Sequence, residues 1–450
     1  MSAIAEPVQS DEFLGHPRGL TYLFATEMWE RFSYYGMKAL LVLYMVKYLL
    51  HPEHAQTVIG FAALKAALES IFGPLELQPL SSQIYGLYTG LVYLTPILGG
   101  YLADRVLGQR RMVIIGASLM AAGHFMMAFE PLFLLALLTL ILGNGAFKPN
   151  ISTQVGTLYP PGDPRRDSAF SIFYVGINLG AFLAPLVCGT LGEELGWHYG
   201  FGAAGVGMTL GLCIYLYASR TLPPDPLTRR QSRPAEPLGR DEWRALGALV
   251  LLALPVTFFW ATYEQQGNTI ALWADGYTDR MIGSWQIPTT WFQAVNPFLI
   301  FAFTPLILSL WKRQAARSRE PSTVLKMAYG CFGNAAAHLV LAAAAVSAAG
   351  GKASVLWLLG YFVVLTVGEL YLSPVGLSLV TKVAPARVLS MMMGVWLATS
   401  FTGGFLAGYL GSLWSGMGKP EFFLMIAAIA ALAGLVILAF VRPLKPILRG

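Results

Sequence analysis

Arg220-Thr221-Leu222-Pro223-Pro224-Asp225-Pro226-Leu227-Thr228-Arg229-Arg230-Gln231-Ser232-Arg233-Pro234-Ala235-Glu236-Pro237-Leu238-Gly239-Arg240 sets the organisation of this chain. Proline cannot continue a helix, and clustered arginine does not enter hydrocarbon. On both sides the sequence falls into apolar runs near the ~20 residues needed to cross a bilayer as a helix. Six runs precede the break, at 20–50, 81–104, 111–130, 132–159, 168–190 and 199–219. Six follow it, at 244–273, 289–312, 322–348, 353–381, 389–414 and 421–442. The expected protein is an all-α membrane protein with about twelve transmembrane helices in two six-helix bundles. The N-terminal bundle is placed at 20–219 and the C-terminal bundle at 244–442. A linker at 220–243 and tails at 1–19 and 443–450 complete the chain.

Composition agrees. Of 450 residues, 56% are hydrophobic and only 12% charged, with mean hydropathy +0.58. Soluble domains carry about twice that charge, ~25%. The polar start, with Glu6, Asp11 and Glu12, lacks the basic, apolar and small-residue order of a cleaved leader, so the first span is expected to direct its own insertion. Lys and Arg gather in alternate connections: Arg105, Arg110 and Arg111; Arg165 and Arg166; the linker; Lys312, Arg313, Arg317 and Arg319; Lys382 and Arg387. The positive-inside rule then places both termini in the cytoplasm of a multi-pass protein of the inner (plasma) membrane. In the long 51–80 connection, Ala62 to Ile71 suits a short interfacial helix.

Charge inside a span costs roughly 2.5–3.5 kcal/mol per residue on insertion scales, so each such residue calls for a partner or a water-filled cavity. The first span reads Glu27-Met28-Trp29-Glu30-Arg31-Phe32-Ser33-Tyr34-Tyr35-Gly36-Met37-Lys38. At about 100° per residue, Glu27, Glu30, Arg31, Tyr34 and Lys38 form one stripe, with Tyr35 on its flank. Two carboxylates beside one guanidinium do not all stay ionised at equal cost, so one can take up and release a proton. The fourth span holds Lys148-Pro149-Asn150, the seventh Trp260-Ala261-Thr262-Tyr263-Glu264, and the tenth Glu369 with Ser373. Arg31 and Lys148 facing Glu369 make an electrically polarised cavity suited to a zwitterion. Amino acids, peptides and betaine-like solutes all fit that description.

The same residues resemble the proton-coupled oligopeptide transporter family of the major facilitator superfamily. The matching stretches are Glu27-x-x-Glu30-Arg31-Phe32-x-Tyr34-Tyr35-Gly36, Gly143 to Asn150, and Phe173-Tyr174-x-x-Ile177-Asn178-x-Gly180. Gly100-x-x-x-Asp104-Arg105-x-x-Gly108-x-Arg110-Arg111 is similar to the superfamily's loop between helices two and three. The resemblance implies a proton-coupled symporter importing di- and tripeptides by alternating access. It implies Arg31 and Lys148 for the peptide carboxylate, with Asn178, Asn296 and Glu369 for the amino group. Tyr34, Tyr35 and Tyr93 would contact the peptide backbone or the ionic network, Trp260 and Trp396 would wall the side chains, and Ser373 joins the binding set. Glu27 and Glu30, with Arg31 and Lys148, would couple protons. Lys38 with Glu264, and Asp104 with Arg105, would gate. Gly86 stands where animal members carry a coupling histidine, and 220–243 has no room for the extra helix pair of many bacterial members.

The partners expected are di- and tripeptides, protons and the lipid bilayer, with no nucleic acid, no cofactor beyond the proton gradient, no metal, and a monomeric state. The alternatives are a proton-coupled carrier of other zwitterions and a drug/proton antiporter. An intramembrane enzyme is disfavoured. The six histidines offer no metal-binding spacing on one span, and no nucleophile elbow or phosphate loop appears.

Overall fold

A computed structural model describes residues 12–13, 15–160, 163, 165–219, 222–223, 239–384 and 388–444. Most of both expected tails and of the linker, together with Arg387, lie outside the described residues. Twelve long helices run in the order anticipated: α1 (Arg18–Tyr44), α2 (Leu77–Leu102), α3 (Gln109–Met126), α4 (Phe133–Thr157), α5 (Arg165–Ala184), α6 (Trp197–Ala218), α7 (Arg240–Tyr263), α8 (Phe292–Ala316), α9 (Thr323–Ser347), α10 (Val355–Val383), α11 (Leu389–Ser412) and α12 (Lys419–Leu444). Among the described residues, nine helical segments are long and apolar enough to cross a membrane. The others are α1 to α3; α1 is diluted by Glu27, Glu30, Arg31 and Lys38. A further helix, Phe61–Phe72, covers the interfacial stretch expected between the first two spans, and Phe72 packs on Tyr409 at 6.0 Å.

Helix α1 packs on α5 and α6, α3 on α4 and α6, and α2 on α4. In the second half α9 packs on α10 and α12, and α7 on α11 and α12. The polar stripe of α1 points into this packing: Glu27, Glu30 and Arg31 are each at most 3% exposed. At the end carrying the termini, Arg165 binds Glu12 at 2.8 Å and Asp163 at 2.9 Å, and Arg110 donates to the carbonyls of Leu222 and Pro223. The hydrogen bonds from Arg165 hold the Asp163 carboxyl below its ordinary range.

Two cross-half packings close the opposite, far end: α2 against α11 and α5 against α8. The α2–α11 seam is made by glycine. A Cβ at Gly86 would lie 2.6 Å from Gly408 Cα, one at Gly404 2.7 Å from Gly90 N, and one at Gly408 2.8 Å from the Ser82 carbonyl. Gly86 and Gly90 on α2 thus meet Gly404 and Gly408 on α11, two small-x-x-x-small pairs of the kind that lets helix backbones touch in lipid. No side chain fits at Gly86 while these backbones touch.

Overfilling a packed contact costs typically 1–3 kcal/mol, or roughly tenfold or more in an equilibrium. Gly408→Ala should therefore open the far end. A thiol placed at the fully buried Ser82 should react with a membrane-impermeant maleimide at least about tenfold faster in that background. Gly247→Ala, whose Cβ meets nothing within 4 Å, should leave the rate unchanged.

Candidate substrate and proton site

The first half of the site is assembled on α1. Arg31 makes a two-point contact with Glu30: Nη2 donates to Oε1 at 2.6 Å and Nε donates to Oε2. Glu27, one helical turn earlier, brings Oε1 to 3.4 Å from the same Nε, while its buried Oε2 has no hydrogen bond among the described residues. Asn144 of α4 donates to Glu30 Oε1 at 3.3 Å. One turn further along α4, Lys148 places Nζ 5.0 Å from the centre of the Tyr93 ring. Lys148 has no ion-pair partner among the described residues, yet it feels the charges of Arg31, Glu30 and Glu27. The guanidinium lies 5.0 Å from the Tyr34 ring and 6.0 Å from the Tyr35 ring. The buried Tyr34 hydroxyl has no hydrogen-bond partner among the described residues.

The opposing half is built on α7, α8 and α10. Asn296 donates to Glu369 Oε2 at 2.8 Å and to Thr366 at 3.0 Å, and Tyr263 donates to the Asn296 side-chain oxygen at 3.4 Å. Tyr263 lies beside Glu369 as well. Tyr35 connects the halves, lying within electrostatic reach of Arg31, Lys38, Glu264 and Glu369 together. Asn178 is buried on α5 and donates to the Tyr174 carbonyl at 3.0 Å, and Tyr174 in turn feels both Glu369 and Tyr35. Trp260 is half-buried, edge-on to Tyr263 at 5.4 Å. Trp396 is only 5% exposed and packs on Gly376, so it serves as a wall of the C-terminal half more than as an open surface. Ser373 is half-buried and makes no hydrogen bond among the described residues.

The gates are in opposite states. Lys38 Nζ lies 2.8 Å from Glu264 Oε2, both under 10% exposed, and Tyr85 donates to the same oxygen at 3.1 Å. At the other end Asp104 and Arg105 are exposed and make no ion pair among the described residues; Arg105 rests 5.6 Å from the Tyr101 ring. The Lys38–Glu264 pair is thus made, while among the described residues Asp104 and Arg105 have no ion pair.

Asn144, Tyr85 and Tyr263 are participants that the motif reading did not single out. Asn144 sits four residues before Lys148, and Tyr263 directly precedes Glu264. Helical spacing could have found the first and adjacency the second. Tyr85 depends on a contact with a helix almost 180 residues away, so local spacing carries no signal for it.

Chemically, Glu30 engages the Arg31 guanidinium by a two-point charge-assisted contact. Two unit charges ~4 Å apart interact by about 4 kcal/mol at an effective dielectric of ~20, so this contact competes with any other anion for Arg31. Lys148 is already without an ion pair, and Glu369 offers negative charge across the chamber.

Comparison with known proteins gives a consistent result. The POT family profile matches residues 110–232 and 236–422. The chain is 35% identical to the peptide transporter YePEPT of Yersinia enterocolitica over 89% of its length and 88% of that protein. It is 32% identical to a di-/tripeptide transporter of Lactococcus lactis subsp. cremoris over 96% of each. A crystal structure of a peptide transporter POT in complex with sulfate superposes with TM-score 0.85 at 32% identity, covering 98% of both chains.

Removing one member of a buried ion pair costs about 3–5 kcal/mol because the other charge is stranded. Lys38→Glu, which sets two carboxylates face to face at the far gate, should lower the thermal unfolding midpoint by several degrees in detergent. The exchanged pair Lys38→Glu with Glu264→Lys should recover more than half of the loss.

Proposed function

The chain belongs to the POT family, and on that premise we propose that it is a proton-coupled symporter importing di- and tripeptides by alternating access. The observation that carries this reading is the placement of Arg31 and Lys148 on the N-terminal half, Glu369 on the C-terminal half, and Tyr35 within electrostatic reach of Arg31 and Glu369. A dipeptide brings a carboxylate and an ammonium at a fixed separation and can bridge the two halves.

The cycle follows from the contacts. With the far end open, a proton neutralises Glu30 or Glu27 and frees the guanidinium. The peptide carboxylate then binds Arg31 and Lys148, while Glu369, Asn296 and Asn178 hold the amino end. Held by both ends, the peptide draws the halves together, Lys38 closes on Glu264, and the end nearest the termini opens. Deprotonation lets Glu30 retake Arg31 and expels the peptide. The structure has the two contacts that define this last state, the Arg31–Glu30 fork and the closed far gate. With the termini in the cytoplasm, as the distribution of Lys and Arg supports, the far end faces the proton-rich side. Each charge moved inward then gains ~2.3 kcal/mol per 100 mV. The protein works in the plasma membrane as a monomer without a bound cofactor.

Specificity rests on the distance between the charged ends, while Trp260 and its neighbours accept varied side chains by apolar area and flat packing. In proteoliposomes with an inward acid gradient, labelled dialanine should accumulate. Di- and tripeptides should compete, and tetrapeptides and free amino acids should compete poorly. Breaking one charged contact typically costs 2–5 kcal/mol, so Lys148→Ala and Glu369→Gln should each raise KM for dialanine by at least about thirtyfold. Equal uptake of alanine, or uptake indifferent to Lys148→Ala, would sink the reading and favour a carrier of other solutes.

A further inference from the structure

The far end contains a second cross-half contact on the side where α5 meets α8. Glu193 lies beyond α5 in a π turn, Leu191–Leu195. Its Oε2 accepts from the Thr289 backbone N–H and its Oε1 from the Thr290 N–H, each at 2.8 Å. These N–H groups begin the segment Thr289–Ala316, which contains α8. The first N–H groups of a helix have no partner inside it, and that end carries positive partial charge. A carboxylate with one oxygen on each N–H satisfies both through charge-assisted bonds. The capped helix belongs to the C-terminal half and the capping side chain to the N-terminal half.

Neighbouring contacts run in the same direction. Trp291 Nε1 donates to Thr190 Oγ1 at 2.8 Å, and Gln293 Nε2 donates to the Ala39 carbonyl at 3.2 Å. A Cβ at Gly189 would overlap the Thr290 side chain, which sits directly on the glycine backbone. Further out, Lys47 beyond α1 binds Asp275 at 2.9 Å, and the same Asp275 oxygen also accepts from Thr289 Oγ1 and Arg280.

We propose that Glu193 is a gating residue: its carboxylate caps the N-terminus of α8 only while the far end is closed and releases it when the halves part. The cap acts on the α5–α8 side, away from the Lys38–Glu264 pair that joins α1 to the end of α7. Opening sends two buried N–H groups and a carboxylate back to water together, so the cap contributes to the equilibrium between the two access states. This rests on the alternating-access reading above, but its test measures geometry and not transport.

The test uses the full-length protein in lipid nanodiscs with Cys213→Ser as background. Spin labels are placed at the exposed positions Gln56 and Lys352, in far-end connections of opposite halves. Glu193→Gln keeps the size but offers one acceptor oxygen and turns an amide NH2 toward a backbone N–H. A longer-distance population should grow by about tenfold, the scale of one charge-assisted hydrogen bond. Glu194→Gln, at the exposed next residue, should give the parent distribution. Thr190→Ala, which removes the acceptor of Trp291, should shift the distances the same way by a smaller factor and keeps the test open if Glu193→Gln folds poorly. Parent-like distances in both Glu193→Gln and Thr190→Ala, in protein with an unchanged melting midpoint, would overturn the proposal. A shift in distance without peptide uptake by the parent would retain the gate and remove the transport reading. Peptide uptake with no shift would do the reverse.

Discussion

The fork between Arg31 and Glu30 is the contact on which the rest of the structure depends. A guanidinium and two carboxylates within about one turn of one helix cannot face lipid, so α1 is driven to the interior. Helices α5 and α6 pack along it, and α4 supplies Asn144 and Lys148 to the same cluster. The interaction is strong in low dielectric.

The two halves contribute unequal chemistry. The N-terminal half holds Glu27 and Glu30 together with Arg31, Lys38 and Lys148. The C-terminal half holds Glu369 in a small hydrogen-bonded cradle of Asn296 and Tyr263, with Thr366 bonded to Asn296. Only when the halves are apposed do these groups share one field, which Tyr35 samples from both sides. The halves are held at the far end by three kinds of contact: an ion pair, a glycine seam and a capped helix terminus. They differ in range and in response to water, so closure is not governed by a single bond.

Much of this was legible in the sequence because the bilayer makes charge expensive. The linker prolines and arginines separated two sets of six spans, the 3.6-residue period put Glu27, Glu30, Arg31 and Lys38 on one face, and family motifs paired Lys38 with Glu264. What the sequence left hidden depends on register between distant helices. Nothing near Gly86 indicates that Gly408 will touch it. Glu193 looks like an ordinary charge at a helix end until the start of α8 is laid over it. The resemblance made Trp396 a wall for side chains, and its packing on Gly376 is visible only in the structure.

Among the described residues, the π turns all fall in the N-terminal half: Met45–Leu49, Ala103–Leu107, Pro185–Gly189 and Leu191–Leu195. Three of them carry charged groups off the central stripe, namely Lys47, the Asp104–Arg105 pair and Glu193. A π turn holds one residue more than the regular helix, and each residue of helix corresponds to about 100° of rotation. These helices therefore store an angular offset as chain length. Loss of a single amino acid from 191–195 would swing Glu193 off its target while every side-chain identity stayed the same. Such a lesion would pass unnoticed in any comparison that scores residue type and ignores count.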